Sequence, residues 1–244
     1  MGPDGVPPVL LRSCADSLSL PLTILFNRSI KEGTFPSVWK ESFITPMFKS
    51  GDKSSIEEYR PVCSLSTIPK LMEKMLVNHI TPPVRQFLIP EQHGFLSGRP
   101  TVTNLMVFQD YILEAFRRGR QVDCVYTDFS KCFHKIPHPQ LFAKLREFGF
   151  HGELYQWLVS YLSGRRMMVR LKGYYSRPFA TTSGTPQGSH IGPLIFLIYI
   201  NGINSVFEGR VRFLLFADDV KMFVEVDDPN DCVELQTNLD RFQH

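Results

Sequence analysis

Apolar side chains recur at helical spacing along much of this chain, and short apolar runs that end on aspartate interrupt them. Ile68, Leu71, Met72, Met75, Leu76 and Ile80 follow the spacing of a helix buried on one face. Val102, Leu105, Met106, Leu113 and Phe116 give a second such stretch, closed by basic residues that suit a helix C-terminus. Helices are also expected over residues 9–18 and 22–31, divided by Pro21, and over 141–148 and 188–200. Another spans 154–162, with Leu154, Trp157, Leu158, Tyr161 and Leu162 on one stripe and Gly164 as its stop. Strands are expected at 43–48 and 122–129, and as a hairpin of 167–171 with 175–180 about Lys172-Gly173. Residues 211–226 predict strand, tight turn at Asp218-Asp219, strand. Helices mixed with hairpins, without regular βαβ alternation, predict an α+β fold.

Composition supports a folded core: 43% of the 244 residues are hydrophobic and 12% aromatic. The net charge of +3 is compatible with a polyanionic partner without demanding one. Basic residues do cluster, at Arg117, Arg118 and Arg120 and again at Arg165, Arg166, Arg170 and Lys172. A groove tracking a phosphate backbone uses such clusters, and so does an ordinary solvated face. The five cysteines (Cys14, Cys63, Cys124, Cys132, Cys232) are scattered, with no C-x-x-C pair, so neither a zinc site nor a disulfide framework is expected. Reduced intracellular thiols follow. The N-terminus lacks the pattern of a signal peptide. The longest apolar run, 193–200, is far below the roughly 20 residues that span a bilayer. No membrane partner is expected.

The chemistry concentrates on acids. Asp218 and Asp219 stand between two apolar runs, and Asp128 ends another. An Asp at the end of a central strand and an Asp at a hairpin tip lie side by side if the strands pair. Such carboxylates can hold two divalent cations about 3.5–4 Å apart against a phosphate. Bound Mg²⁺ also removes the cost of crowding like charges. A surface Asp-Asp turn leaves the same string, because Asp is common in turns. In the segment 183–189, Gly184 and Gly188 flank Pro186-Gln187, so backbone can approach a flat ligand while the Gln187 amide makes contacts. A plain loop before a core helix has a similar composition. Lys49, Lys53 and Arg60, in or beside a polar turn, can grip a triphosphate or simply keep a loop soluble. His134, His138 and His190 are dispersed and are taken as ordinary residues.

Taken together and in order, these segments resemble the polymerase domain of a non-long-terminal-repeat retrotransposon reverse transcriptase of the jockey-like kind. Gly2-Pro-Asp-Gly-Val-Pro-Pro8 resembles the family's first motif. Phe35-Pro-Ser-Val-Trp-Lys40, Ile44-Thr-Pro-Met-Phe-Lys-Ser-Gly-Asp52 and Tyr59-Arg-Pro-Val62 resemble its fingers block. Gly94-Phe-Leu-Ser-Gly-Arg99 with Thr103-Asn-Leu105 resembles the next block. Tyr126-Thr-Asp-Phe-Ser-Lys-Cys-Phe133 and Phe216-Ala-Asp-Asp219 resemble the two catalytic blocks, and residues 183–196 the substrate-handling block.

The resemblance implies the fingers and palm of a right hand, with an antiparallel palm sheet backed by helices. Residues 1–244 would form one reverse transcriptase domain, with 1–120 mainly fingers and 121–244 mainly palm. The later palm lysine, primer grip and thumb would be missing from it. Asp128 and Asp218 would be the main ligands of two Mg²⁺ ions, or Mn²⁺ in their place, with Asp219 supporting. Phe133 would exclude a 2′-hydroxyl by bulk. Gln187, with Gly188 beside it, would contact nucleotide or template, and Lys49 and Arg60 would hold the triphosphate.

The partners implied are an RNA template, a DNA primer and dNTPs, in the nucleus or the cytoplasm. His134, Cys132 and Pro100 depart from the family, which usually has Asp, Ala and Ser there. None of these removes an implied metal ligand. The alternative is a truncated, inactive retrotransposon remnant that at most binds nucleic acid. Phe133 and the Phe-Ala-Asp-Asp form argue against an RNA-dependent RNA polymerase.

Overall fold

In the computed structural model the described residues are 2–129 and 132–243. Ser130 and Lys131 of the 126–133 block lie outside them, as do Met1 and His244. From the N-terminus, α1 (Pro8–Ser13) and α2 (Ala15–Lys31) lead to β1 (Glu41–Phe48), β2 (Tyr59–Leu65), α3 (Thr67–Arg85) and α4 (Thr101–Arg117). Next come β3 (Gln121–Asp128), α5 (Cys132–Lys135), α6 (His138–Glu147), α7 (Gly152–Leu162), β4 (Arg166–Leu171), β5 (Tyr174–Tyr175) and β6 (Phe179–Ala180). The remaining elements are α8 (Gly192–Ile200), β7 (Arg212–Phe216), β8 (Asp219–Val226) and α9 (Pro229–Phe242). The fold is α+β, as expected.

Two compact units interleave along the chain, one made of Met1–Val84 with Phe133–Phe196, the other of Arg85–Cys132 with Leu197–His244.

In the first unit, β1 pairs antiparallel with β2 and parallel with β4, and β4 carries the short partners β5 and β6. The return strand breaks at Arg177-Pro178, because proline offers no N–H to a ladder. An aromatic cluster forms the core. Phe35, 1% exposed, meets Trp39, Trp157 and Tyr161 edge-on at 5.0–5.7 Å between centroids. The Trp157 indole donates to Ser29 Oγ at 2.9 Å, so its buried N–H is satisfied. Helix α2 runs through Pro21 and the break falls at Cys14 instead. Pro21 and the preceding turn are exposed, so water can serve the carbonyl that proline leaves without a donor.

In the second unit the sheet order is β3-β8-β7, antiparallel throughout. The central strand is β8, not the expected β3. Phe108 and Tyr111 of α4 pack on Phe223 at 4.9 and 4.8 Å. Cys232 of α9 lies 3.6 Å from Asp123, which stands opposite Val224. Directly opposed residues share a face and neighbours alternate, so the two helices cover opposite faces of the sheet. Met222 and Val224 are fully buried. Helix α9 was not among the expected elements. It begins at a capping box in which Asp228 accepts from Asn230 N–H at 2.6 Å and Asp231 reaches back to the Asp228 N–H at 3.2 Å.

Candidate active site

The ladder of β3 with β8 ends with Asp128 directly across from Asp219. The β7–β8 turn is formed by Ala217 and Asp218, one residue earlier than expected, so Asp219 is the first residue of β8. Asp218 sits in the turn itself, and its carbonyl accepts from Phe129 N–H at 3.2 Å. The three acids are thus brought to one end of one sheet. Burial raises the Asp219 carboxyl above its ordinary range, and the charges of Asp218 and Asp128 raise it further. Among the described residues no three His, Cys, Asp or Glu side chains converge closely enough to grip a single ion. The donor set fits Mg²⁺ or Mn²⁺: it is all carboxylate oxygen, hard, and free of thiolate or imidazole.

The turn is unusual in its backbone. Ala217 has φ +57° and Asp218 has no positive φ, the sign pattern of a II′ hairpin turn, whose first position glycine normally fills. Segment 91–94 holds it there. His93 N–H donates to Leu215 O, and Leu215 N–H to Glu91 O, both at 3.0 Å. Gln92, 2% exposed, accepts from Ala217 N–H at 3.0 Å and from Gly94 N–H at 2.7 Å, and donates to Ala217 O at 3.4 Å. A Cβ on Gly94 would stand 2.0 Å from Ala217 N, so only glycine fits. Sequence reasoning placed Gly94 in a family block but gave Gln92 no part.

On the Asp219 face of the sheet, Lys221 is 7% exposed, with its ammonium 4.1 Å from the Phe108 ring centroid and 5.2 Å from that of Tyr126. Burial lowers its pKa. It too was missed, because a lysine inside a strand looks like a solvent-facing residue.

The other expected site residues lie in the first unit. Arg60 stands opposite Met47 in the β1–β2 hairpin, and Lys49 N–H donates to Glu58 O at 2.8 Å, so both cations sit at one hairpin end with exposed side chains. The 183–189 loop is fastened on two sides. Thr185 N–H donates to Phe133 O and Gly184 N–H to Ile136 O, both at 2.8 Å, while Ser183 Oγ donates to His134 O at 2.7 Å. Gly184 approaches this backbone so closely that a Cβ would be 2.4 Å from Phe133 O. On the other side, the Gln187 N–H lowers the pKa of the Cys63 thiol, against a larger upward push from burial. Phe133 and Gln187 are therefore tied to the same loop, and Gln187 to the strand that carries Arg60. The Phe133 ring packs on Phe196 at 4.7 Å. Gln187 Oε1 is buried and has no hydrogen-bond partner among the described residues.

Helix α8 starts at Gly192 rather than 188, and ahead of it Ser189 Oγ accepts from Gly192 N–H at 3.0 Å. Glu73, 1% exposed, underpins this segment, accepting from His190 N–H at 2.8 Å and from the Tyr161 hydroxyl at 3.0 Å. Burial raises its pKa, and those donors and Arg165 oppose the shift. A cavity of about 290 Å³ opens beside the loop, lined in part by Cys63, His134, Arg165 and Thr185.

Comparison with known proteins bears on this geometry. Residues 49–243 match the family model described as reverse transcriptase (RNA-dependent DNA polymerase). The chain is 29% identical over 250 residues to a probable RNA-directed DNA polymerase from transposon BS of Drosophila melanogaster, covering 99% of this chain and 27% of that protein. It is 26% identical to the RNA-directed DNA polymerase from mobile element jockey of Drosophila funebris, covering 96% of this chain and 26% of the relative. It thus spans about a quarter of the length of these relatives. Among solved structures, apo telomerase from Candida tropicalis, truncated from its C-terminal domain, superposes with TM-score 0.56 at 12% identity over 92% of this chain and 51% of that one. At that identity the likeness concerns the fold. No helix among the described residues is long and apolar enough to cross a membrane.

Proposed function

The chain belongs to the reverse transcriptase family, and we propose that it is the RNA-directed DNA polymerase core of a retrotransposon, extending a primer 3′-hydroxyl with dNTPs along an RNA template. The observation that carries this reading is the acidic end of the β3-β8-β7 sheet, where Asp128 faces Asp219 and Asp218 occupies the adjoining turn. Asp128, Asp218 and Asp219 are the residues to hold two Mg²⁺ ions, or Mn²⁺. When bound, such ions activate the attacking hydroxyl and neutralise the leaving pyrophosphate.

The remaining roles fall to residues of the first unit. Lys49 and Arg60 bind triphosphate oxygens, Arg60 with a planar fork suited to two of them. Phe133, its ring held by Phe196, excludes a ribose 2′-hydroxyl by bulk. Gln187 offers a buried amide oxygen, without a partner among the described residues, to nucleotide or template, and Gly188 allows backbone to come close. The enzyme works inside the cell, in nucleus or cytoplasm, wherever its template RNA is found.

The test is primer extension by purified protein with Mg²⁺, primed RNA and labelled dNTPs. Extension is expected, and Asp218→Asn is expected to abolish it. Extension that survives the substitution rejects the assignment of the acids. Retained binding of RNA–DNA hybrid with no incorporation by the unaltered chain favours the inactive remnant instead.

A further inference from the structure

We propose that Gln92 is a positioning residue for the acidic turn, holding Ala217 in its left-handed conformation so that Asp218 and Asp219 are presented together. This rests on the reading of those acids as metal ligands. One side-chain amide grips both backbone groups of Ala217, its oxygen on the N–H at 3.0 Å and its nitrogen on the carbonyl at 3.4 Å. No other residue type carries a donor and an acceptor on one planar end at that reach in a fixed charge state. The same oxygen takes Gly94 N–H at 2.7 Å, and Gly94 has no side chain to push the turn away. Alanine at φ +57° is strained, and buried hydrogen bonds can hold such a residue in place. Among the described residues the amide hydrogen-bonds to backbone groups alone, so it acts through the backbone of the residue that precedes both acids. Asn104 Nδ2, donating to Leu215 O at 3.1 Å, steadies the strand leading into the turn and not the turn itself.

The experiment measures Mn²⁺ binding by paramagnetic resonance titration, alongside primer extension and thermal unfolding, on four chains: unaltered, Asp218→Asn, Gln92→Met and Gln92→Met with Ala217→Gly. Methionine keeps the side-chain volume and removes the three hydrogen bonds. The expected result for Gln92→Met is Mn²⁺ affinity weakened roughly 10–100-fold, as for lost partners behind metal ligands, with a matching rise in the Mg²⁺ needed for half-maximal kcat and an unchanged dNTP KM. Adding Ala217→Gly is expected to restore most of the affinity, because glycine takes positive φ unaided.

A merely structural Gln92 would instead lower the unfolding midpoint and leave the metal affinity of the folded fraction untouched. That result, or a double variant no better than the single one, overturns the proposal. If Gln92→Met alone does not fold, recovery of both fold and Mn²⁺ binding in the double variant supports it, and failure of the double overturns it. An unaltered chain that binds no better than Asp218→Asn sinks the reading of the acids themselves. A loss seen only with Asp218→Asn sinks the role of Gln92 alone.

Discussion

Asp219 stands directly across the ladder from Asp128, and its carboxyl is raised by burial, then by Asp218, then by Asp128. A carboxyl raised in the folded state adds stability below its unfolded value and loses it as pH rises through the folded one. Without divalent ions, the unfolding midpoint of the unaltered chain relative to Asp219→Asn is therefore expected to fall as pH climbs from the ordinary aspartate value of 3.8 through the raised one. Millimolar Mg²⁺ is expected to reverse that loss by binding the ionised acids. Calorimetry over a pH series, with and without Mg²⁺, checks both. A difference between the two chains that does not change with pH contradicts the coupling.

Gly94→Ala puts a methyl group where only 2.0 Å separates it from the Ala217 backbone nitrogen. Neither segment can yield cheaply, because both are hydrogen-bonded there. A destabilisation of about 1–3 kcal/mol is expected in urea titration, typical of forcing extra volume into a packed site. Near-native stability would mean the two segments are not seated on one another.

Glu73 accepts from the Tyr161 hydroxyl and also receives the His190 N–H. Glu73→Ala strands both donors in the interior and is expected to cost about 2–5 kcal/mol. Glu73→Gln keeps one acceptor oxygen and is expected to cost less. Since burial raises the Glu73 pKa, its contribution is present at low pH and lost as pH rises through the folded value. Glu73→Gln removes that dependence. Guanidinium unfolding at acid and neutral pH would reveal an unchanged slope if the argument is wrong.

Phe133→Val opens space where bulk is proposed to exclude the 2′-hydroxyl. Discrimination between dNTP and rNTP is expected to fall roughly 10-fold or more, read as the ratio of kcat/KM values. Unaltered sugar preference would remove Phe133 from that role.

Much of this was legible in the chain itself, and the misses have physical causes. Periodicity located α3, α4 and α7 because each buries one stripe. It could not show that helix α2 continues through Pro21, since that depends on water reaching the freed carbonyl. Helix α9 was readable: Asp228 followed three residues later by Asp231 is a capping signature, but its mostly polar face gave a weak apolar pattern. The acids and the 183–189 loop stood out through local composition. Gln92 did not, because its partner Ala217 lies 125 residues away and glutamine has no local signature for such a role. Glu73 went unnoticed for the same reason, its acceptor duty being set by His190, 117 positions later.

The interleaving of the two units has a cost during synthesis. A ribosome that has released residues up to 132 has delivered the first part of each unit and completed neither. β1 waits for β4, and β3 waits for β8, so both sheets must leave strand edges unpaired until those later strands are made. Nascent chains of this protein should thus depend on chaperones that shield open edges until the last strand emerges.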